Sequence, residues 1–261
     1  MPRTLVTFHA HPDDEAIATG GVMARAAAEG HRVVLVLATR GEVGEVPDGF
    51  LADGEELAER RVGEAEAAAK ILGVARVAFL GYRDSGMADE PTNTAPNAFA
   101  SADLDEAAER LAAILREENA DVLTVYDENG GYGHPDHIQV HRVGVRGAEL
   151  AGVDRVYEST LNRDYIVGLM RARVSEMPDI PDAPNPDDFT MGSSEDAITT
   201  TVDVRDFVEA KRAAMVAHAS QISPDSFFLQ LPLDAFREAF GYEWFIRRGP
   251  RPAEHEASLF D

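Results

Sequence analysis

Short apolar runs alternate with longer, helix-like segments along the N-terminal part of the chain. The apolar runs are too short for helices and too continuously apolar for strands with one face in water, and they cover residues 5–8, 32–38, 77–80, 121–126 and 153–158. The segments between them are amphipathic or rich in alanine, and they cover residues 16–30, 55–72, 104–118 and 135–151. Strands that alternate with helices in this way predict an α/β fold built on a mostly parallel, doubly wound sheet.

The pattern changes after residue 160. Residues 177–189 are rich in proline and aspartate and predict an irregular loop over the surface or across a pocket mouth. Residues 198–204 predict a strand, residues 205–219 predict a helix, and the aromatic-rich segment at residues 227–245 is expected to pack back on the sheet. We therefore predict a single domain over residues 1–261, with a core at residues 1–160 and a C-terminal extension at residues 161–261 that shapes the pocket.

The composition excludes several kinds of partner and chemistry. The 261-residue chain carries a formal net charge of −23, and such a surface repels the phosphates of nucleic acids and anionic membranes. No stretch approaches the roughly 18 apolar residues that a membrane span needs, and the N-terminal residues lack the pattern of a secretory signal. We expect a cytoplasmic protein with a small-molecule substrate, and the sequence leaves its oligomeric state open. Cysteine is absent, so any metal site must use histidine and carboxylate ligands.

Two strings that combine His, Pro and Asp each follow a predicted strand. Residues 10–15 read Ala-His-Pro-Asp-Asp-Glu after the first strand, and residues 132–137 read Tyr-Gly-His-Pro-Asp-His after the fourth. One such string alone is more typical of a turn or a helix cap. Because the carboxyl ends of parallel strands meet at one edge of a sheet, two strings at strand ends predict a shared site.

The residue types in these strings match a metal site that activates water. Such a site needs about three protein ligands and an open position. His11 and Asp14 are three residues apart at one strand end, and His137 is the third predicted ligand. Two imidazoles and one carboxylate suit zinc, and the same set also suits Fe(II).

The other polar residues of the strings predict the parts of a hydrolytic reaction. Asp13, next to a predicted ligand, is the candidate base that takes a proton from water. His134 and Tyr132 are candidates to stabilise the oxyanion and to protonate the leaving amine. Glu15 and Asp136 are predicted to hold the ligand imidazoles in the right tautomer.

The remaining histidines have weaker signals. His141 lies one helical turn after His137, and we predict a packed or supporting histidine there rather than a fourth ligand. His9 alternates with His11 along an extended segment and is expected to face the other way. His218, together with Gln221, is placed to reach the site from the C-terminal part.

At these residues the sequence resembles the PIG-L/LmbE-type zinc-dependent N-acetylglucosaminyl de-N-acetylases. The hallmarks of that family are an Ala-His-Pro-Asp-Asp-Glu string after the first strand and a later His-Pro-Asp-His, and both are intact here. The likeness is strongest to the mycothiol branch, the inositol-glucosamine deacetylase and the mycothiol conjugate amidase, through residues 82–87 and 126–137. It covers residues 3–160 and is weaker beyond them.

The resemblance implies a Rossmann-like fold and a zinc ion held by His11, Asp14 and His137. It also implies that Asp13 is the general base and that His134 and Tyr132 stabilise the tetrahedral intermediate. Four further residues are implied to line the sugar pocket: Arg61, Asp84, Met87 and Glu45.

Three functions compete at this point. The leading prediction is a metal-dependent hydrolase that removes an acetyl group from an N-acetylglucosamine-type small molecule or glycoconjugate. The alternative is an amidase acting on mycothiol S-conjugates or another amide; Ala18 stands where both mycothiol enzymes carry a polar or basic residue, so one pocket contact is missing. A non-catalytic sugar- or nucleotide-binding module is a more distant alternative, because the first strand lacks the Gly-x-Gly-x-x-Gly turn that admits a pyrophosphate.

Overall fold

Seven strands form one sheet in the computed structural model, which describes residues 1–176 and 186–261. The strands are β1 (Thr4–His9), β2 (Arg32–Leu37), β3 (Arg76–Phe79), β4 (Val122–Tyr126), β5 (Arg155–Thr160), β6 (Thr200–Asp203) and β7 (Tyr242–Arg247). Their order in the sheet is β3-β2-β1-β4-β5-β7-β6. The first five strands are parallel to one another, whereas β7 is antiparallel to both β5 and β6.

Helices cover both faces of the sheet. They are α1 (Asp14–Ala18), α2 (Gly20–Ala28), α3 (Leu57–Ile71), α4 (Leu104–Glu117), α5 (Gly130–Gly133), α6 (Pro135–Ala151), α7 (Arg163–Glu176), α8 (Val208–Ala217), α9 (Phe227–Gln230) and α10 (Leu233–Phe240). Leu5 of β1 belongs to an apolar cluster that includes Met215 of α8. The next residue, Val6, belongs to a separate cluster that includes Leu111 of α4. Because helices exclude water from both faces of the sheet, the parallel strands carry apolar residues at consecutive positions.

The predicted α/β fold with a mostly parallel sheet is confirmed. Each of the five apolar runs predicted as strands overlaps a parallel strand whose bounds differ from the prediction by at most two residues. The helices predicted at residues 55–72, 104–118 and 135–151 correspond to α3, α4 and α6. The alternation of strand and helix therefore sufficed to predict this part of the fold.

The helix predicted over residues 16–30 is wrong in one respect, because the chain forms two helices there, α1 and α2, which meet at Thr19. Glu243 of β7 accepts hydrogen bonds from the backbone N–H groups of Gly21 at 2.7 Å and Val22 at 2.8 Å. A carboxylate at these N–H groups stabilises a new helix N-terminus. Lys211 of α8 donates to the same carboxylate at 2.6 Å. A buried ion pair between Lys211 and Glu243 therefore supports the N-terminus of α2.

The C-terminal part of the chain completes the sheet. The strand predicted at residues 198–204 and the helix predicted at residues 205–219 are confirmed as β6 and α8. The aromatic-rich segment packs on the sheet as predicted, and it contributes α9, α10 and the start of β7. The sequence pattern did not predict α7, and the loop predicted at residues 177–189 lies mainly outside the described residues. No helix in the described ranges is long and apolar enough to cross a membrane.

Candidate active site

Three buried histidines meet at the carboxyl ends of β1 and β4. His11 follows β1 just before the chain turns into α1. His134 caps α6, because its Nδ1 accepts a hydrogen bond from the backbone N–H of Asp136 at 3.1 Å. His137 lies in the first turn of the same helix. The ring centroids of His134 and His137 lie 4.7 Å and 5.5 Å from that of His11. The two predicted strings therefore come together in space.

Asp14 lies between the two histidines that were predicted to be ligands. Its Oδ2 is 3.3 Å from Nδ1 of His11, and its Oδ1 is 3.3 Å from Nε2 of His137. Burial alone would raise the pKa of Asp14, but His137 and His11 outweigh burial and hold the pKa well below its ordinary value. Asp14 is therefore a carboxylate that contacts both predicted ligands.

The arrangement fits a metal ion. Nε2 of His137 is buried and has no hydrogen bond among the described residues, since its contact with Asp14 lacks hydrogen-bond geometry. The histidines His11, His134 and His137 bring ligand atoms within 4.8 Å of one another. A second group with the same spacing shares His11 and adds Asp84 and Asp136. Imidazole and carboxylate donors that converge in a buried site are the set that zinc and iron prefer.

The carboxylates make the surroundings of His11 strongly favourable for positive charge. Nε2 of His11 lies 3.2 Å from Oδ2 of Asp136 and 3.4 Å from Oδ1 of Asp84. Burial lowers the pKa of His11, yet the hydrogen bonds to Asp136, Asp14 and Asp84 raise it well above its ordinary value. A site that favours a cation in this way is electrostatically suited to a metal ion.

Asp13 has a strained backbone next to these ligands. Its φ of 121° and ψ of −35° lie in a region that residues other than glycine rarely adopt, at a cost of about 1–3 kcal/mol. Its Oδ1 lies 3.4 Å from Nη2 of Arg61, which also donates to the carbonyl of Pro12 at 2.6 Å. Burial raises the pKa of Asp13 to about 6, although Arg61 opposes the shift. Strain and a shifted pKa together are typical of a functional position.

Tyr132 lies at the open side of the site, on a glycine-rich turn. Its side chain is 52% exposed, and its ring centroid lies 5.0 Å from that of His137. Oδ1 of Asp127 holds this turn by accepting hydrogen bonds from the backbone N–H groups of Asn129 and Gly131. Gly131 has a φ of 69° and a ψ of −84°, a conformation that glycine adopts without strain. Asp127 was missed by the sequence analysis, although it stands at a strand end.

The two carboxylates predicted to orient imidazoles lie in different surroundings. Asp136 is fully buried, contacts His11 and accepts hydrogen bonds from the backbone N–H and the hydroxyl of Ser85. Glu15 is also fully buried, but its described partners are His218 and the backbone N–H of Asp13. Asp136 therefore lies where it was expected, whereas Glu15 contacts no predicted ligand imidazole.

The residues predicted to line a sugar pocket are not equally close to the histidines. Asp84 is buried beside His11, and Arg61 is buried beside Asp13. Met87 is 50% exposed. Glu45 is exposed, and its backbone carbonyl accepts a hydrogen bond from Nε2 of Gln221 at 3.1 Å. The structure thus brings Asp84 against a predicted metal ligand and Arg61 against the predicted base.

Two other histidines support the site from outside it. The ring nitrogens of His9 lie 2.9 Å from the hydroxyl of Tyr126 and 2.8 Å from that of Thr19. The ring of Tyr126 in turn stacks on that of His137, with centroids 4.3 Å apart. Nδ1 of His141 lies 3.0 Å from the backbone carbonyl of Tyr126. His141 is therefore a packed histidine, as predicted.

Buried histidines and carboxylates at the carboxyl edge of a mostly parallel sheet suit the chemistry of a metal-dependent hydrolase. The model of the family described as PIG-L: GlcNAc-PI de-N-acetylase matches residues 6–148, more than half of the chain. The protein therefore belongs to the PIG-L family of deacetylases, and the resemblance inferred from the two strings is confirmed.

Relatives of known name match almost the whole chain. The 1D-myo-inositol 2-acetamido-2-deoxy-alpha-D-glucopyranoside deacetylase of Acidothermus cellulolyticus is 42% identical, and the match covers 94% of this chain and 89% of that one. The protein of the same name from Thermobifida fusca is 41% identical, with 99% of each chain covered. Among solved structures, N,N'-diacetylchitobiose deacetylase from Pyrococcus horikoshii has a TM-score of 0.60 at 22% identity, covering 94% of this chain and 83% of that one. That structural likeness supports the fold.

Proposed function

We propose that the protein is a zinc-dependent deacetylase that hydrolyses the acetamide of an N-acetylglucosaminyl inositol, 1D-myo-inositol 2-acetamido-2-deoxy-α-D-glucopyranoside. Relatives named for this substrate are 41–42% identical over nearly the whole chain. The observation that carries the proposal is the convergence of His11, Asp14 and His137, in which the buried Nε2 of His137 has no hydrogen-bond partner among the described residues. A buried imidazole nitrogen that makes no hydrogen bond and lies 3.3 Å from a carboxylate oxygen is suited to share a metal ion with that carboxylate.

His11, Asp14 and His137 are the residues that we assign to hold the zinc ion. When bound, zinc acts as a Lewis acid toward water and the amide carbonyl. The same ligand set suits Fe(II). The proposal that the metal is zinc is therefore more specific than the proposal that these residues bind a metal ion.

We assign the general base to Asp13. Its carboxyl group lies beside the ligands, and burial raises its pKa to about 6. At neutral pH the carboxylate form predominates, and it accepts a proton from water at a side-chain oxygen. Arg61, 3.4 Å from Oδ1, orients this carboxylate and leaves the other oxygen to the reaction.

We assign the oxyanion contacts to His134 and Tyr132. Burial, followed by the charges of His11 and His137, lowers the pKa of His134 to about 4, so its ring is neutral at pH 7. Because Nδ1 accepts a hydrogen bond from a backbone N–H, the ring proton lies on Nε2. Nε2 is therefore a donor for the oxygen that becomes negative during hydrolysis. The Tyr132 hydroxyl supplies a second donor from the exposed side.

The sugar pocket is proposed to include Arg61, Asp84, Met87 and Glu45, with the C-terminal extension forming one wall. The hydrogen bond from Gln221 to the carbonyl of Glu45 supports this, because it joins the extension to a loop of the core. The contact between His218 and Glu15 supports it in the same way.

Release of acetate from the inositol substrate by the wild type and by Asp13→Asn tests the proposal. We expect the substitution to lower kcat by about 10³-fold, because a positioned base contributes 10²- to 10⁴-fold. Zinc content, measured on the same samples, is expected to remain that of the wild type. Unchanged acetate release by Asp13→Asn would refute the base assignment. Faster hydrolysis of a mycothiol S-conjugate than of the acetylated sugar would favour the amidase instead.

A further inference from the structure

Glu15 and His218 form a buried contact that joins the C-terminal part of the chain to the catalytic turn. Both side chains are 0% exposed, and Nε2 of His218 lies 2.5 Å from Oε1 of Glu15. The two residues are 203 positions apart in sequence, and His218 is the C-terminal cap residue of α8. Polar groups removed from water this completely are unfavourable unless they are paired, so each residue depends on the other.

The second oxygen of Glu15 acts on the backbone of Asp13. Oε2 accepts a hydrogen bond from the Asp13 N–H at 3.0 Å. The positive φ of Asp13 persists only if the surroundings enforce it. Arg61 holds the turn from the other side through the carbonyl of Pro12. Glu15 and Arg61 therefore both hold the strained turn that presents the Asp13 carboxylate.

His218 fixes Glu15 without contacting the predicted metal ligands. Nδ1 of His218 is buried and has no hydrogen-bond partner among the described residues. The bond to Glu15 is thus the polar contact that orients the ring. If that bond is lost, Glu15 is no longer held in one rotamer, its hydrogen bond to the Asp13 N–H is weakened, and the turn loses one of its two supports.

We propose that His218 is a positioning residue for the hydrolytic reaction, because it fixes Glu15 and Glu15 fixes the conformation of Asp13. This inference rests on the proposed function, in which Asp13 is the base. A base must lie within hydrogen-bond reach of the water that it deprotonates, and displacing a reacting group by about 1 Å lowers the rate by up to about 10²-fold. The C-terminal extension then affects the turnover rate through His218, and it also forms one wall of the pocket.

The test compares His218→Leu with His218→Gln in the zinc-loaded protein, with the acetylated inositol sugar as substrate. Leucine keeps much of the volume but has no donor, whereas the glutamine amide places a donor close to the position of Nε2. We expect kcat of His218→Leu to fall about 10- to 100-fold, with KM within about twofold and zinc content unchanged. Glutamine is expected to restore most of the lost kcat.

Ser220→Ala is the matched control. Ser220 donates its hydroxyl to Glu64 of α3 at 2.6 Å and accepts a longer hydrogen bond from Nε2 of Gln221 at 3.3 Å, so the variant removes hydrogen bonds from the same segment without removing a group that bonds to Glu15. Its Tm is expected to fall while kcat stays that of the wild type. Wild-type kcat in His218→Leu would overturn the inference, and so would an equal loss of kcat in Ser220→Ala. If His218→Leu does not fold, His218→Asn, whose shorter amide does not reach Glu15, replaces it in the comparison with His218→Gln.

Asp13→Asn, assayed in parallel, separates this inference from the proposed function. If Asp13→Asn loses turnover and His218→Leu does not, only the positioning role is wrong. If Asp13→Asn keeps turnover, the base assignment is wrong, whatever His218→Leu shows.

Discussion

Single atoms decide what chemistry the site can perform. Nε2 of His137 is buried without a hydrogen bond among the described residues, and Asp13 holds a backbone conformation that needs support from Glu15 and Arg61. Both features are unfavourable for folding taken alone. They are explained together if His137 binds a metal ion and Asp13 presents its carboxylate to the reacting water.

Replacing His137 is expected to abolish tight zinc binding, because it removes one of three proposed ligands. His137→Ala should weaken zinc affinity by more than about 100-fold, beyond the usual effect of losing an outer contact. Competition with a chromogenic chelator measures this affinity. The control is His141→Ala, one turn along α6, whose ring contacts the carbonyl of Tyr126 instead. Equal zinc affinities of the two variants would contradict the ligand assignment.

Removing the hydroxyl of Tyr132 is expected to slow the reaction without weakening the fold. The side chain is 52% exposed, so Tyr132→Phe should leave Tm unchanged. Loss of one oxyanion donor lowers kcat by about 10²-fold, with little change in KM. Steady-state acetate release measures both constants. Tyr165→Phe, which removes a hydroxyl bonded to the carbonyl of Glu238, is the control, and equal kcat values for the two variants would refute the donor role.

The residue types of the site were predictable because they lie at strand ends. His11, Asp14 and His137 stand in two short strings, and the rule for parallel sheets brings the ends of β1 and β4 together. The pairing of Glu15 with His218 was not predictable in the same way. Neither local spacing nor periodicity joins residues so far apart, and a lone histidine after a helix has no distinctive pattern.

At the scale of elements, the start of α2 shows how the fold depends on a contact between distant segments. Alanine and glycine over residues 16–30 predict one helix, whereas Glu243 creates a second N-terminus at Gly20. Lys211 neutralises this carboxylate inside the protein, and both side chains are at most 3% exposed. The sequence pattern could not show this, because the charges come from α8 and β7.

Lys211→Met is expected to destabilise the fold strongly, because it leaves Glu243 buried without its cation. Breaking a buried ion pair by removing one partner costs about 3–5 kcal/mol. Urea unfolding of zinc-loaded protein measures the free energy of unfolding. The control is Lys70→Met, since Lys70 is exposed at the end of α3 and should contribute little. A loss below about 1 kcal/mol for Lys211→Met would show that the pair is not important for stability.

In the whole molecule, the C-terminal part of the chain contributes strands to the sheet and side chains to its core. β7 pairs with both β5 and β6, and the chain end returns to the first strand, where Leu259 is 3% exposed within the core cluster of Leu5. The five parallel strands of the sheet were predictable from the alternation of apolar runs and helix-like segments. The position of β7 between β5 and β6 was not, because antiparallel pairing of distant segments has no local signature.

Leu259→Ala is expected to lower stability although it lies near the end of the sequence. Deleting a buried leucine side chain costs about 2–5 kcal/mol. Thermal or urea unfolding measures the change. Phe227→Ala, at a position that is 72% exposed, should change stability by less than about 0.5 kcal/mol. Equal stabilities of the two variants would mean that the chain end does not contribute to the core.

Zinc reconstitution of metal-stripped protein tests whether the reaction depends on a single metal site. The stripped protein is mixed with increasing zinc, and acetate release from the acetylated inositol sugar is measured at each ratio. We expect negligible release without metal and a linear rise that stops near one zinc per chain, since His11, Asp14 and His137 are proposed to form a single site. Full acetate release by protein that retains no metal would refute the proposed zinc dependence, and zinc-loaded protein that releases no acetate would refute the proposed deacetylase activity.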